Sequence, residues 1–206
     1  MSIKKMLFAA CAVMGLAFGQ AASATVLTAQ ASGWCSGTSC ENANAISNTF
    51  VGSSDSFRNF FNFDLSGVSG TVIGSTLSIW NDYENTANSN QTDYVLHAAT
   101  SVSFSDLING VAIGSINAAQ ADNHVSRFVD ITLNQSGLAA LQSAEGKSFL
   151  FGGMTTDSNG LFGYTGGFPQ ATLTVQTTAA VPEPASIALL GLGLAAVGVA
   201  RRRKAS

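Results

Sequence analysis

Along the middle of the chain, apolar residues recur mostly at every second position, the spacing of strands with one face buried. In SFRNFFNFDLSG, Phe57, Phe61, Phe63 and Leu65 share one parity, while Arg58, Asn62 and Asp64 share the other. Ser66-Gly67-Val68-Ser69-Gly70 reads as a turn, and TVIGSTLSIW as the next strand, with Leu77 and Ile79 inward and Trp80 out of phase with them. Further strands are expected near Ala45–Val51, Thr92–Ala99, Val125–Leu133, Ser148–Gly152 and Ala171–Thr177. Two short helices interrupt them. One falls near Phe104–Asn109; the other runs over Ser136–Ala144, capped by Ser136 or Asn134, with Leu138 and Leu141 facing in and Gly146 ending it. No period of 20 to 50 residues recurs, so a solenoid or propeller is not expected. Seven or eight strands with short turns predict an all-β fold, an antiparallel β-sandwich of jelly-roll type with two short helices.

The two ends of the chain follow different rules. At the N-terminus Lys4 and Lys5 precede an apolar stretch from Met6 to Phe18 and then Ala22-Ser23-Ala24, the charge, grease and small-residue order of a secretory signal peptide, with cleavage expected after Ala24. At the C-terminus Ala185 to Ala200 carry no charge and, as a helix, reach roughly 24 Å, close to the thickness of a bilayer core. A buried core helix is the alternative for so short a run. Arg201, Arg202, Arg203 and Lys204 follow at once, a stop-transfer block that stays on the cytoplasmic side. Pro182 and Pro184 hold the preceding segment extended, so the helix begins no earlier than about Pro184. The expected organisation is a signal peptide over 1–24, an ectodomain over 25–180 and a tail over 181–206 with a single transmembrane helix at 185–200 and a basic end at 201–204.

Val181-Pro182-Glu183-Pro184, one apolar helix and a terminal Arg cluster, together with a signal peptide, resemble the PEP-CTERM proteins of Gram-negative bacteria. The resemblance implies that the tail is a sorting signal read by an exosortase, a membrane-embedded transpeptidase-like enzyme that processes the chain near Pro182, Glu183 and Pro184. It also implies signal peptidase as a partner, an inner-membrane intermediate and a final place at the cell surface or in the extracellular matrix.

Charge narrows the role of the ectodomain. Between Thr25 and Ala180 only Arg58, Arg127 and Lys147 oppose eleven acids, a balance of 3 − 11 = −8, and nucleic acid, which needs clustered cations, is not an expected ligand. Composition rich in Ser, Thr, Asn and Gly suits extracellular β-structure. Cys35 and Cys40, in CSGTSC, are expected to pair in an oxidising compartment, closing a small loop that stabilises by about 2 kcal/mol. Half of a zinc site is the alternative, and the only histidines left to complete it are His97 and His124.

A second resemblance concerns RNFFNFDLSGVSGTVIGSTLSIW, which is similar to the signature strand pair of the disaggregatase-related carbohydrate-binding modules. Arg58, Phe63, Asp64, Leu65, Leu77 and Trp80 fall on its pattern. The resemblance implies a sandwich fold of carbohydrate-binding type.

No nucleophile, metal-protease or phosphate-loop motif stands in the chain, and Asp122, His124 and Ser126 lie too close along it to be read as a triad. Sugar binding needs exposed aromatic faces with polar groups nearby. Trp80, followed by Asn81, Asp82 and Tyr83 in a polar loop, is the candidate glycan site; its alternative is a Trp covering the sheet. Trp34 is expected to pack on the disulfide, and one of Phe162, Tyr164 and Phe168 to plug the core. Asp82, Glu84 and Asp93 with neighbouring amides offer the oxygen ligands calcium prefers, a structural calcium reading whose alternative is a solvated loop that needs no metal, and no other metal or cofactor is expected. The expected function is a non-enzymatic exported surface or matrix protein that binds exopolysaccharide; the alternative is a secreted polysaccharide hydrolase or lyase.

Overall fold

The computed structural model describes residues 22–41, 44–52, 56–81, 91–119, 126–156, 159–163, 171–178 and 193. The signal-peptide stretch up to residue 21, the Pro-Glu-Pro motif and the basic end lie outside the described residues. Two compact units are distinguished, Ala22–Thr178 and the remaining terminal residues. Only the first is described below.

Its strands are β1 (Ala22–Thr28), β2 (Ala31–Ser36), β3 (Ser39–Cys40), β4 (Arg58–Asp64), β5 (Thr71–Asn81), β6 (Gln91–Ala99), β7 (Ala112–Ala119), β8 (Arg127–Thr132), β9 (Ser148–Thr155) and β10 (Thr172–Thr178), with helices α1 (Asp106–Asn109) and α2 (Gln135–Ser143). They form a four-stranded sheet, β1-β10-β5-β8, and a six-stranded sheet, β3-β2-β4-β9-β6-β7. Every pairing between these strands is antiparallel. The expected all-β sandwich with two short helices is therefore what the chain adopts.

The core between the sheets follows the parity of the sequence. Phe61, Phe63 and Leu65 from the β4 region meet Leu77 and Ile79 of β5, and β10 adds Leu173 and Val175. Phe63 and Phe151 pack edge to face with centroids 5.6 Å apart. Each fully buried Leu or Phe contributes about 1.5–3 kcal/mol of transfer free energy, so this layer is the main source of stability. Helix α2 closes one end. Asn134 is its cap, its side chain accepting from the Gly137 amide at 3.0 Å, and Gly146, at φ 73°, turns the chain after it.

β4 departs from expectation. Instead of a half-buried strand with Arg58 on the wet side, it is covered on both faces. Phe60 is fully buried in a second cluster with Ala31, Cys35 and Leu107, and Arg58 is itself buried. α1 supplies the cover. The Arg58 guanidinium lies 3.8 Å from the Phe104 ring centre and donates to the Phe104 carbonyl, so the buried cation is held against this segment. Close approach of α1 depends on Gly152 in β9, where a Cβ would stand 1.9 Å from the Leu107 carbonyl oxygen. The adjacent Gly153 faces the other way, and its Cβ would stand 1.8 Å from the Tyr94 hydroxyl. Two consecutive glycines thus make room on opposite faces of one strand.

Other expectations need correction. Ala45–Val51 is not a regular strand; isolated bridges join Ile46 to Ser32 of β2 and Val51 to Leu161, which lies outside the strands. β1, β2, β3 and β7 are additional, since short polar or glycine-containing runs such as ASGWCS and AIGSINAA have no clear two-residue period. β1 begins at Ala22, inside the stretch that resembles a signal peptide. Cys35 and Cys40 form the expected disulfide across the β2–β3 hairpin, with Cα atoms 4.0 Å apart. Trp34 does not pack on it: alternation along β2 turns Trp34 to the opposite face, where it meets Phe57 edge to face at 5.2 Å.

Gly152→Ala is expected to lower stability by about 1–3 kcal/mol, because either β9 or α1 must move to admit the methyl group. A denaturant titration would show this as a lower midpoint with an unchanged slope.

Candidate functional site

Alternation along β5 places Leu77, Ile79 and Asn81 toward the core, and Ser78 and Trp80 on the outer face of the four-stranded sheet. Trp80 stands directly across from Phe128 of β8. Their rings meet edge to face, 5.2 Å apart and 70° inclined, with Trp80 half-buried and Phe128 44% exposed. One row further, Ser78 pairs with Asp130 and Thr172, and its hydroxyl donates to Asp130 Oδ1 at 2.5 Å. The next row is Thr174, Thr76 and Thr132. The result is an aromatic step at the end of a polar sheet face, with hydroxyls and one carboxylate beside it. Such a surface can stack the C–H face of a sugar and bond its hydroxyls.

The structure separates the sequence-based site. Asn81 points away from Trp80: it is fully buried, and its Oδ1 accepts from the Phe162 amide at 2.9 Å. Asp82 and Tyr83 lie outside the described residues. Phe128 and Asp130 were not singled out from sequence, although in RFVDIT they share one parity and Val129 and Ile131 the other. That alternation was the available signal. Phe162 is the core plug among the three aromatics considered, packed edge to face on Tyr94 at 4.8 Å, while Tyr164 and Phe168 are outside the described residues.

Asn81 belongs to a buried polar chain that joins the sheets. Tyr94 donates its hydroxyl to Asn59 Oδ1 at 2.7 Å, Asn59 Nδ2 donates to the Thr49 carbonyl at 2.9 Å, and the Thr49 hydroxyl donates to the Phe162 carbonyl at 2.9 Å. Phe162 sits at φ 61°, a conformation a side chain adopts at a cost of about 1–3 kcal/mol. Hydrogen bonds at both its amide and its carbonyl hold it there. Burial pushes the Tyr94 hydroxyl well above its ordinary pKa, and the Asn59 hydrogen bond offsets only part of this.

A second surface feature lies beside the disulfide. Gly37, Thr38 and Cys40 face residues 102–105 across an open depression of about 430 Å³. Its rim is ordered by Asp106, which accepts from the Ser101 hydroxyl. That bond, opposed by desolvation and aided to a lesser extent by Ser103 and Asn109, holds the Asp106 carboxyl below its ordinary pKa. Among the described residues no convergent ligands or acid–base pair line the depression.

Asp93 accepts from Asn117 Nδ2 at 2.6 Å, while Asp82 and Glu84 are outside the described residues. Among the described residues no group of three or more His, Cys, Asp or Glu could hold a metal ion. His97 is bonded through Nδ1 to the Gly110 carbonyl at 2.9 Å; Asp122 and His124 lie outside the described residues. Among the described residues no helix is long and apolar enough to cross a membrane, and the Ala185–Ala200 segment falls outside them save for Gly193.

Fold and tail together define a β-sandwich followed by a sorting segment. Residues 180–204 match the PEP-CTERM protein-sorting motif, which covers Pro182, Glu183, Pro184 and the basic cluster Arg201, Arg202, Arg203 and Lys204. That motif implies an exosortase partner and an exported, membrane-processed, cell-surface product. No curated protein matches the chain. Solved structures similar to it include BuGH86wt in complex with neoagarooctaose, at 9% identity and TM-score 0.39 over 79% of this chain and 20% of that one. Another is the CBM22-1-GH10 part of the Clostridium thermocellum N-terminal endo-1,4-beta-D-xylanase 10B complexed with xylohexaose, at 9% identity and TM-score 0.34 over 78% of this chain and 30% of that one. The chain thus spans less than a third of either, and likenesses so distant assign no ligand or activity.

Two pH limits follow. Tyr94 has a raised folded pKa, so its contribution is complete below about pH 10 and is lost as pH rises beyond that; Tyr94→Phe should flatten this alkaline limb while costing about 1–3 kcal/mol at neutral pH through the orphaned Asn59 oxygen. Asp106 has a lowered folded pKa, so its contribution is complete above about pH 4 and is lost as pH falls through the lowered value. Chemical denaturation of Asp106→Asn across pH 2 to 7 should show a shallower acid limb than the parent, measured at about 0.15 M salt.

Proposed function

We propose that the chain is a non-enzymatic surface or extracellular-matrix protein of a Gram-negative bacterium that holds exopolysaccharide on the outer face of its four-stranded sheet. In this reading signal peptidase removes the leader, Ala185–Ala200 spans the inner membrane with Arg201–Lys204 in the cytoplasm, and an exosortase acts near Pro182-Glu183-Pro184. The observation that carries the binding role is the Trp80–Phe128 pair on the sheet's outer face, Trp80 half-buried and Phe128 exposed, beside the Ser78–Asp130 hydrogen bond. The two rings stabilise each other as a cross-strand pair, yet Phe128 stays open to solvent beside outward rows of Thr, Ser and Asp, with Val26 exposed further along the sheet. Stacking on a sugar covers the open ring. Neutral or cationic glycans suit the site better than acidic ones, because the domain carries a net charge of 3 − 11 = −8 between Thr25 and Ala180 and Asp130 sits at the platform itself.

Affinity electrophoresis of the folded domain through gels containing the producer's exopolysaccharide tests this. Retardation is expected, falling at least tenfold in Trp80→Ala and several-fold in Phe128→Ala, with unchanged thermal midpoints as the control. Unaltered retardation in both variants would remove the platform from the proposal. Depolymerisation of the polymer, abolished by substitution of one acid, would replace binding with catalysis.

A further inference from the structure

We infer that the depression beside the disulfide is a second glycan subsite, shaped for a neutral sugar residue, so that one domain holds two stretches of polymer at once. This rests on the binding role given above for the polymer, and adds a site and a consequence. The depression measures about 430 Å³, within the usual span of small-molecule sites. A protein partner needs roughly 800 Å² of surface on each side, which an opening of this size does not supply.

Both walls are fixed to the same buried cluster. On one side Cys35 is fully buried with Ala31, Phe60 and Leu107, and its disulfide ties down Cys40, whose hairpin carries Thr38 at its exposed tip. Gly37 turns that tip at φ 56°, and nothing stands within 4 Å of where its Cβ would be, so backbone conformation rather than crowding calls for glycine. On the other side Val102 and Phe104 pack on the cluster, and the Arg58 guanidinium grips Phe104 by both ring and carbonyl. Burying a cation is a costly way to pin a connecting segment, and a disulfide across so short a loop stabilises the fold only slightly. Together they hold two walls at a set distance. A preformed opening loses less ordering entropy when a ligand enters.

The lining sets the ligand's chemistry. Phe104, Val102 and Cys40 give it an apolar part, and Thr38, Ser103 and Ser105 add hydroxyls. None of these side chains ionises, Cys40 being held in the disulfide, so an ion finds no counter-charge among them. A sugar ring answers both parts: its C–H face suits the half-buried Phe104 ring, and its hydroxyls suit groups that donate as well as accept. Ser103 is oriented by the Asp106 amide, which donates to its hydroxyl at 3.3 Å, while Thr38 and Ser105 are exposed. Phe60 and Leu107 lie on the outer face of the six-stranded sheet, whereas Trp80 and Phe128 stand on the outer face of the four-stranded one. The two sites are therefore on opposite sides of the sandwich. Such a pair bridges separate chains and gains avidity for a polymer without any further contact.

The exported chain, titrated with neutral oligosaccharides cut from the producer's exopolysaccharide and followed by amide NMR shifts, tests this. Saturable shifts are expected at Gly37, Thr38 and Ser103–Ser105, with a separate set on β5 and β8. Shifts on β5 and β8 alone would overturn the second site and leave the platform standing; shifts at neither place would overturn both. Phe104→Ala would also unseat Arg58, so Thr38→Arg, which fills the opening from an exposed position, supplies the variant arm. It should keep the parental thermal midpoint and the shifts on β5 and β8, while affinity read at Ser103–Ser105 falls at least tenfold. Light scattering reads the bridging. With intact exopolysaccharide the parent should gather chains into larger particles, and Thr38→Arg and Trp80→Ala should each abolish this while still binding. Particle growth unaltered in Thr38→Arg would sink the inference.

Discussion

The pairing of β10 between β1 and β5 is the constraint on which the rest of the domain depends. It joins the first and last strands of Ala22–Thr178 and places Leu173 and Val175 in the centre of the inter-sheet core. These contacts span almost the whole domain, so the loop-closure entropy must be met before they return any free energy, and the four-stranded sheet cannot assemble from its N-terminal part alone. Without β10 there is no continuous sheet from β1 to β5, and the face that carries Trp80 loses its Thr172 and Thr174 rows.

The six-stranded sheet solves a different problem. It is buried on both faces near its middle, and its strands must tolerate a helix on one side and a second sheet on the other. β9 does this with Gly152 and Gly153, one vacating space for the α1 backbone and the other for the Tyr94 hydroxyl. Tyr94 in turn anchors the polar chain through Asn59 and Thr49 to Phe162, which bonds Asn81 across the sandwich. In a low-dielectric core these bonds specify how the sheets align, because any slip would strand several polar groups at once.

Division of labour between the two faces follows. The outer face of the six-stranded sheet is spent on stability, through Phe60, Leu107 and the buried Arg58. Among the described residues the outer face of the four-stranded sheet has no such cover, and it is there that aromatic and hydroxyl groups are displayed together. Along the chain the sorting motif, residues 180–204, follows β10, the strand that completes the core.

Local sequence was sufficient for everything that depends on period or order alone. The alternation of Phe61, Phe63 and Leu65 and of Leu77 and Ile79 named the core strands, Ser136 or Asn134 with Gly146 bracketed α2, with Asn134 the cap that forms, and Cys35 and Cys40 pointed to the disulfide over half a zinc site. The Pro-Glu-Pro tail was legible for the same reason, being a linear signal. Tertiary structure alone decided which strands are neighbours and which faces are covered. Arg58 and Phe60 are buried because α1 folds back over β4, Asn81 is inside because Phe162 comes to meet it, and Trp80 gains Phe128 because β8 pairs with β5. Each depends on residues dozens of positions away, and side-chain parity within one strand records which face a residue takes but not what will cover it.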